Sequence, residues 1–127
     1  MRLTWDKYFL TIAQAVALRA DCSKRQVGAV LVKNNRIMST GYNGAPAGHK
    51  GCLSDGACPR AEAGVDPGSS YDTGPGACIA IHAEANALLY ANRNDCERAT
   101  MYVTHEPCDG CMKLMRGAGL EKWMFPA

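Results

Sequence analysis

No apolar run in this 127-residue chain is long enough to cross a bilayer. The most apolar stretch, residues 8–18, is broken by Thr11 and Gln14 and preceded by Asp6, so it reads as an amphipathic helix and not as a signal peptide. The chain is therefore expected to be soluble and cytoplasmic, with no membrane partner. An excess of charge of one sign is also missing. Fourteen Lys and Arg against twelve Asp and Glu leave a formal charge of +2, which gives no reason to expect a protein that coats nucleic acid. There is no internal repeat and no length for a second domain, so residues 1–127 are read as one domain with one core.

Cysteine, by contrast, is plentiful. Seven in so short a chain would suggest disulfides in a secreted protein. The count is odd, no export signal is visible, and Cys108 and Cys111 form a tight C-x-x-C. Metal binding is the better reading.

The patterning is that of an α/β chain. Trp5, Phe9, Ile12 and Val16 recur at helical spacing behind a Thr4 cap, which predicts a helix over 4–20 packed by that face. Apolar runs at 27–32 and 36–42 flank Asn34-Asn35 and predict a β-hairpin. Residues 44–79 show no periodicity and hold eight of the thirteen glycines and four of the six prolines. A loop of that length is usually functional or ordered by something else. Helix is predicted again over 82–92, strand over 99–104, helix over 109–118 ended by Gly119, and a last strand over 122–125. The sum is a three-layer α/β/α sandwich around a mixed central sheet.

His82-Ala83-Glu84 precedes Pro107-Cys108-Asp109-Gly110-Cys111. This H-x-E … P-C-x-x-C order is the signature of zinc nucleobase deaminases. A catalytic zinc takes three protein ligands and keeps a fourth position for water, which one imidazole and two thiolates supply. Both motifs fall at predicted helix starts, where unpaired N–H groups and the helix dipole favour thiolate. Pro107 suits such a start because no helical hydrogen bond is lost there. Glu84, two residues after His82, is placed to move protons between water and base. C-x-x-C alone would equally suit half of a structural zinc ribbon. Such a closed site would have no use for Glu84.

Longer stretches carry a resemblance. Trp5-Asp6, Arg25-Gln26-Val27-Gly28-Ala29, Ser39-Thr40-Gly41-Tyr42-Asn43-Gly44-Ala45-Pro46, His82-Ala83-Glu84-Ala85-Asn86-Ala87 and Tyr102-Val103-Thr104-His105-Glu106-Pro107-Cys108 together resemble the deoxycytidylate deaminases of bacteria and phages, in the cytidine deaminase superfamily. The resemblance implies hydrolysis of dCMP to dUMP and ammonia, feeding thymidylate synthesis. It implies attack of metal-activated water at cytosine C4, with Glu84 protonating N3 and then the departing amine. The Ala83 N–H would steady the base through O2, and Asn43 would face the sugar. Arg25 is the candidate for the 5′-phosphate, since a guanidinium suits phosphate geometry. It would otherwise be a solvated surface charge, and Asn43 a turn residue. The resemblance further implies a homo-oligomer, a hexamer by preference, activated by dCTP and inhibited by dTTP at a site that includes Gly41, Tyr42, Asn43 and Gly44. Mg²⁺ would accompany such a triphosphate.

Two stretches depart from the family pattern. The family's chains usually continue beyond the strand at 122–125, so a fifth strand is expected to be absent or supplied by oligomer packing. The loop before His82 carries Cys58-Pro59-Arg60 and Tyr71-Asp72-Thr73-Gly74, so its contacts to the base 5-position or the phosphate are expected to differ. Three rival readings remain: a deaminase of a 5-modified dCMP or another cytosine nucleotide, a tRNA adenosine deaminase, and a non-catalytic zinc module. Cysteine bookkeeping adds a second, structural zinc on Cys22, Cys52, Cys58 and Cys78, with His49 as a substitute for one of them. The alternative is four buried thiols packing as small hydrophobes. Cys96 stands apart on a polar stretch.

Overall fold

The computed structural model describes residues 1–22, 25–54, 56, 63–64 and 78–127. The pattern around Cys58-Pro59-Arg60 and Tyr71-Asp72-Thr73-Gly74 lies outside the described residues. The elements are α1 (Trp5–Ala17), β1 (Gly28–Lys33), β2 (Arg36–Tyr42), α2 (Ala83–Leu89), α3 (Arg93–Cys96), β3 (Thr100–Val103), α4 (Asp109–Ala118) and β4 (Lys122–Met124). Among the described residues no helix is long and apolar enough to cross a membrane.

The apolar run of β1 explains its central place. A strand buried on both faces needs neighbours on both edges and helices above and below. The sheet order is β2-β1-β3-β4, with β1 antiparallel to β2 and β3, and β3 parallel to β4. Val30, Val32 and Tyr102 pack with Phe9 and Ala13 of α1 on one face. Ala29, Leu31, Met101 and Val103 pack with Ala83, Ala87 and Met115 of α2 and α4 on the other. The mixed sheet and the three layers are as expected. Asn34 and Asn35 both have positive φ, 52° and 59°, as a two-residue primed hairpin turn requires.

Two glycines set the spacing of the layers. A methyl group at Gly28 would lie 2.0 Å from the Ala13 carbonyl oxygen of α1, and one at Gly41 would lie 2.2 Å from that of Ala83 in α2. The bare Cα of each lets a helix backbone rest directly on a strand.

That close approach corrects the predicted face of α1. The buried residues are Phe9, Ala13 and Ala17, because only alanine fits where the helix meets Gly28. Ile12 and Val16 are partly buried beside them. Trp5 is 55% exposed and stacks on Phe9 with ring centroids 5.7 Å apart. Thr4 caps the start as expected, accepting from the Lys7 N–H at 3.2 Å. The helix stops short of residue 20: Leu18, Arg19 and Ala20 donate to Ala15, Val16 and Ala17, three residues back, so the last turn tightens. The Tyr102 hydroxyl donates to Asp6 at 2.6 Å and ties α1 to β3.

The predicted helix over 82–92 is two helices. α2 ends at Tyr90, and Asn92 opens α3 by a capping box: its side chain accepts from the Asp95 N–H at 2.9 Å, and the Asp95 carboxylate accepts from the Asn92 N–H at 3.2 Å. Cys96 of α3 is no polar-surface residue. It is 4% exposed within the core, and burial pushes its thiol above the ordinary value. Gly119 ends α4 at φ 89°, with Leu120 donating back to Met115 at 3.1 Å.

The chain beyond β2 is tied down near α1. The Asp21 carboxylate accepts from the Leu53 N–H at 2.7 Å, the Ser54 N–H at 2.8 Å and the Ser54 hydroxyl at 2.6 Å. The Ser54 bonds above all hold its pKa below the ordinary carboxylate value. Gly44 and Ile81 exchange backbone bonds of 3.2 and 2.8 Å, which returns the chain to the start of α2.

Candidate metal centre

The two motifs sit where their helices begin. His82 is the N-cap of α2 and makes no side-chain cap bond. That leaves its ring available to a ligand. Cys108 is the N-cap of α4, and its sulfur accepts from the Cys111 N–H at 3.4 Å. The two helices pack on the same face of the sheet, so their starts converge.

His82 Nδ1 lies 3.3 Å from Cys111 Sγ and 3.5 Å from Cys108 Sγ. All three donor atoms fall within 4.8 Å of one another. A tetrahedral zinc with bonds of about 2.05 Å to nitrogen and about 2.3 Å to sulfur holds such ligands about 3.6 Å apart. The donor set and its spacing fit that ion. Cys111 is buried, whereas His82 and Cys108 are exposed, so the site opens to solvent on one side.

Glu84 is the second residue of α2 and is only 5% exposed. Its carboxylate meets the Cys111 thiol. Burial first, then the Glu84 charge and the Cys108 sulfur, push that thiol well above its ordinary pKa. At Cys111 burial thus opposes the thiolate that a helix start favours. A divalent cation among these groups reverses the balance, because it supplies the positive charge that a thiolate and a carboxylate in one buried place require.

Around this cluster the structure gathers the other expected residues. Ala83 is buried at the first position of α2. α2 is pinned to β2 by Ser39 Oγ donating to the Ala87 carbonyl at 2.7 Å and Asn86 Nδ2 donating to the Tyr42 carbonyl at 2.8 Å. Asn43 is 8% exposed. Its Oδ1 accepts from the Val27 N–H at 2.8 Å and its Nδ2 donates to the Arg25 carbonyl at 2.8 Å. The amide thus shapes the segment that carries Arg25, and one lone pair and one N–H remain for a ligand. The Arg25 side chain is exposed. Gly41 is accounted for by the packing of α2. Tyr42 and Gly44 line a separate cleft of about 400 Å³ with Leu18, Arg19, Asp21 and Leu53.

Residues 3–127 match the profile of the cytidine and deoxycytidylate deaminase zinc-binding region. The chain belongs to this deaminase family. The three converging donors are its candidate zinc site. A deoxycytidylate deaminase of Mycobacterium phage D29 is 52% identical over 126 residues, 98% of this chain and 96% of the phage protein. The deoxycytidylate deaminase of Schizosaccharomyces pombe is 39% identical over 125 residues, 98% of this chain but 37% of the yeast protein. Among solved structures, the dCMP deaminase of cyanophage S-TIM5 in complex with dCMP and dUMP matches with a TM-score of 0.73 at 25% identity, covering 98% of this chain and 82% of that one. The mixed sheet with its helices therefore matches the fold of that solved deaminase.

Proposed function

We propose that this chain hydrolyses dCMP to dUMP and ammonia. The observation that carries the reading is a buried carboxylate, Glu84, against a three-donor zinc site that opens to solvent on one side. Its relatives' shared activity supports it. Zinc, when bound, supplies the Lewis acid that makes water nucleophilic near neutral pH. Glu84 is placed to take one proton from that water and give it to N3, where dUMP keeps it, and then to carry the second proton, released from the new C4 hydroxyl, to the leaving amine. The first N–H of α2, at Ala83, has no helical acceptor and is offered to the base O2. The unused polar atoms of Asn43 face the sugar, and Arg25 takes the 5′-phosphate. The reaction is placed in the cytoplasm, where thiol ligands stay reduced.

Regulation belongs to the same reading. Tyr42 and Gly44 border the cleft that also holds the Arg19 cation, and this supports a triphosphate effector, dCTP or dTTP, carried with Mg²⁺ on a homo-hexamer. Exposed apolar residues such as Leu89 and Tyr90, 67% and 78% exposed, favour assembly. The test is ammonia release from zinc-loaded protein over cytosine and adenine nucleotides and RNA, with and without each triphosphate. Release from dCMP above all others, on a curve shifted by dCTP, is expected. Preference for a 5-substituted dCMP or for RNA would overturn the substrate, and a hyperbolic curve untouched by both triphosphates would overturn the regulation.

A second zinc on Cys22, Cys52, Cys58 and Cys78 is proposed with it. Cys58 lies outside the described residues. Support comes from the neighbours of the others: Asp21 bonds Leu53 and Ser54, which brings the chain beside Cys22 against the chain beside Cys52. Asp21 also donates its N–H to the Asn43 carbonyl at 2.9 Å, next to the Gly44 to Ile81 bridge that follows Cys78. His49 is the substitute ligand. Metal analysis is expected to find two zinc ions per chain, falling to one in Cys58→Ser with a lower melting temperature. One zinc per chain in fully metallated, active wild type would sink the site.

A further inference from the structure

His105 has no part in the reaction as described, although it stands three residues before the ligand Cys108 on the link from β3 to α4. Its place is fixed by a clamp between that link and the start of β1. The Thr104 N–H donates to the Gly28 carbonyl at 3.0 Å, and the Gly28 N–H donates to Thr104 Oγ1 at 3.1 Å. This pair of hydrogen bonds sets residues 25–27 beside residue 105. The Asn43 amide then holds Arg25 there by its carbonyl. The His105 ring is half-buried, and the charges of Arg25 and Glu84 both reach it. It therefore stands within electrostatic reach of both the expected phosphate-binding cation and the acid/base group.

Thr104 Oγ1 sits 2.8 Å from His105 Nδ1. That hydroxyl accepts from Gly28 and has one proton to give, and we take it as the donor to Nδ1. The neutral ring then carries its N–H at Nε2, for which no partner is recorded among the described residues. Burial, then the Arg25 charge, hold the ring below the ordinary histidine pKa against the opposing pull of Glu84. At neutral pH it is a fixed, uncharged donor.

We propose that His105 donates its Nε2–H to the 5′-phosphate of a nucleoside monophosphate beside the Arg25 guanidinium, and so selects nucleotides over nucleosides. This rests on the deaminase reading above. There the base acceptors O2 and N3 are met by Ala83 and Glu84. The phosphate is then the acceptor-rich group left, and it is the one that Arg25 attracts. A neutral N–H and a cation side by side fit a phosphate, whose oxygens accept from several directions.

The experiment is steady-state kinetics of the zinc-loaded protein on dCMP and deoxycytidine. In His105→Leu, KM for dCMP is expected to rise about tenfold or more, as for one lost charge-assisted hydrogen bond. Turnover should stay within a few-fold, and kcat/KM for deoxycytidine should not change. His105→Gln, whose longer amide reaches the Nε2 position, should recover most of the KM, and His105→Asn should not. Equal losses on both substrates, an unchanged KM, or equal Gln and Asn variants would overturn the assignment. If the Leu variant melts far below wild type, the Gln and Asn pair decides. If wild type releases no ammonia from dCMP, the deaminase reading fails. His105 is then judged on binding alone, by whether the variants weaken dUMP and leave deoxyuridine untouched.

Discussion

Glu84→Gln should keep its zinc and its fold and lose nearly all turnover. The amide is the same size as the carboxylate and sits in the same buried place at the second position of α2, so packing against Ala83 and Cys111 has no reason to change. What changes is that an amide cannot take up and return a proton. Positioned acid/base groups contribute about 10²- to 10⁴-fold. Because this one side chain serves both N3 and the leaving amine, the loss is expected at the upper end. Zinc content, the melting temperature and kcat on dCMP are the measurements. Turnover within about tenfold of wild type, a barrier change of only ~1.4 kcal/mol, would remove Glu84 as the proton carrier.

Gly41→Ala should destabilise the fold and disable the metal centre together. Its new methyl group would lie 2.2 Å from the Ala83 carbonyl oxygen and 2.4 Å from the Ala87 nitrogen. Both are backbone atoms of α2, so no side chain can swing aside and the helix itself must move. Overpacking of well-filled cores costs about 1–3 kcal/mol and occasionally more. A backbone contact this short belongs at the upper end. The same displacement carries His82 and Glu84 away from Cys108 and Cys111, so zinc affinity and turnover should fall by more than stability alone explains. Gly44→Ala is the control. Its methyl group would meet nothing nearer than the Asp21 Cβ at 3.5 Å, an ordinary contact, and stability should shift by about 0.5 kcal/mol or less. Denaturation curves, zinc content and activity of the two variants side by side test this. A Gly41→Ala protein that melts and turns over like Gly44→Ala would refute the close approach.

Elements governed by local chemistry were legible in advance. The Thr4 cap, the Asn34-Asn35 turn, the Gly119 stop and the strand runs each depend on a few neighbouring residues, and each stands where the pattern put it. The misplaced features depend on distant partners or on a competing short-range signal. Trp5 fits the apolar period of the packed face yet is 55% exposed at the first turn of α1, and periodicity cannot see that Ala13 and Ala17 are the residues that meet Gly28. The break between α2 and α3 was written in Asn92 and Asp95, but a continuous alanine- and leucine-rich pattern hid it. Cys96 sits in a polar run, and only the packing of β3 and α4 shows it to be core.

The site divides in the same way. Sequence alone determined the donor types, their order and the carboxylate beside them, because zinc hydrolysis needs that chemistry and few other uses combine it. It also determined the family, through motifs spread over most of the chain. Only tertiary structure decided that His82, Cys108 and Cys111 meet on one face of the sheet, since their separation along the chain says nothing about the angle at which two helices start. It also decided that burial raises the Cys111 thiol where the helix start was expected to lower it. The hydrogen-bond partners of Asn43 and His105 were likewise decided by folding. Asn43 finds its partners on the backbone of residues 25 and 27, and His105 meets the hydroxyl of its neighbour Thr104, which Gly28 holds from across the sheet. Hydrogen bonds between residues so far apart in the chain exist only once the sheet has brought β1, β2 and β3 into register.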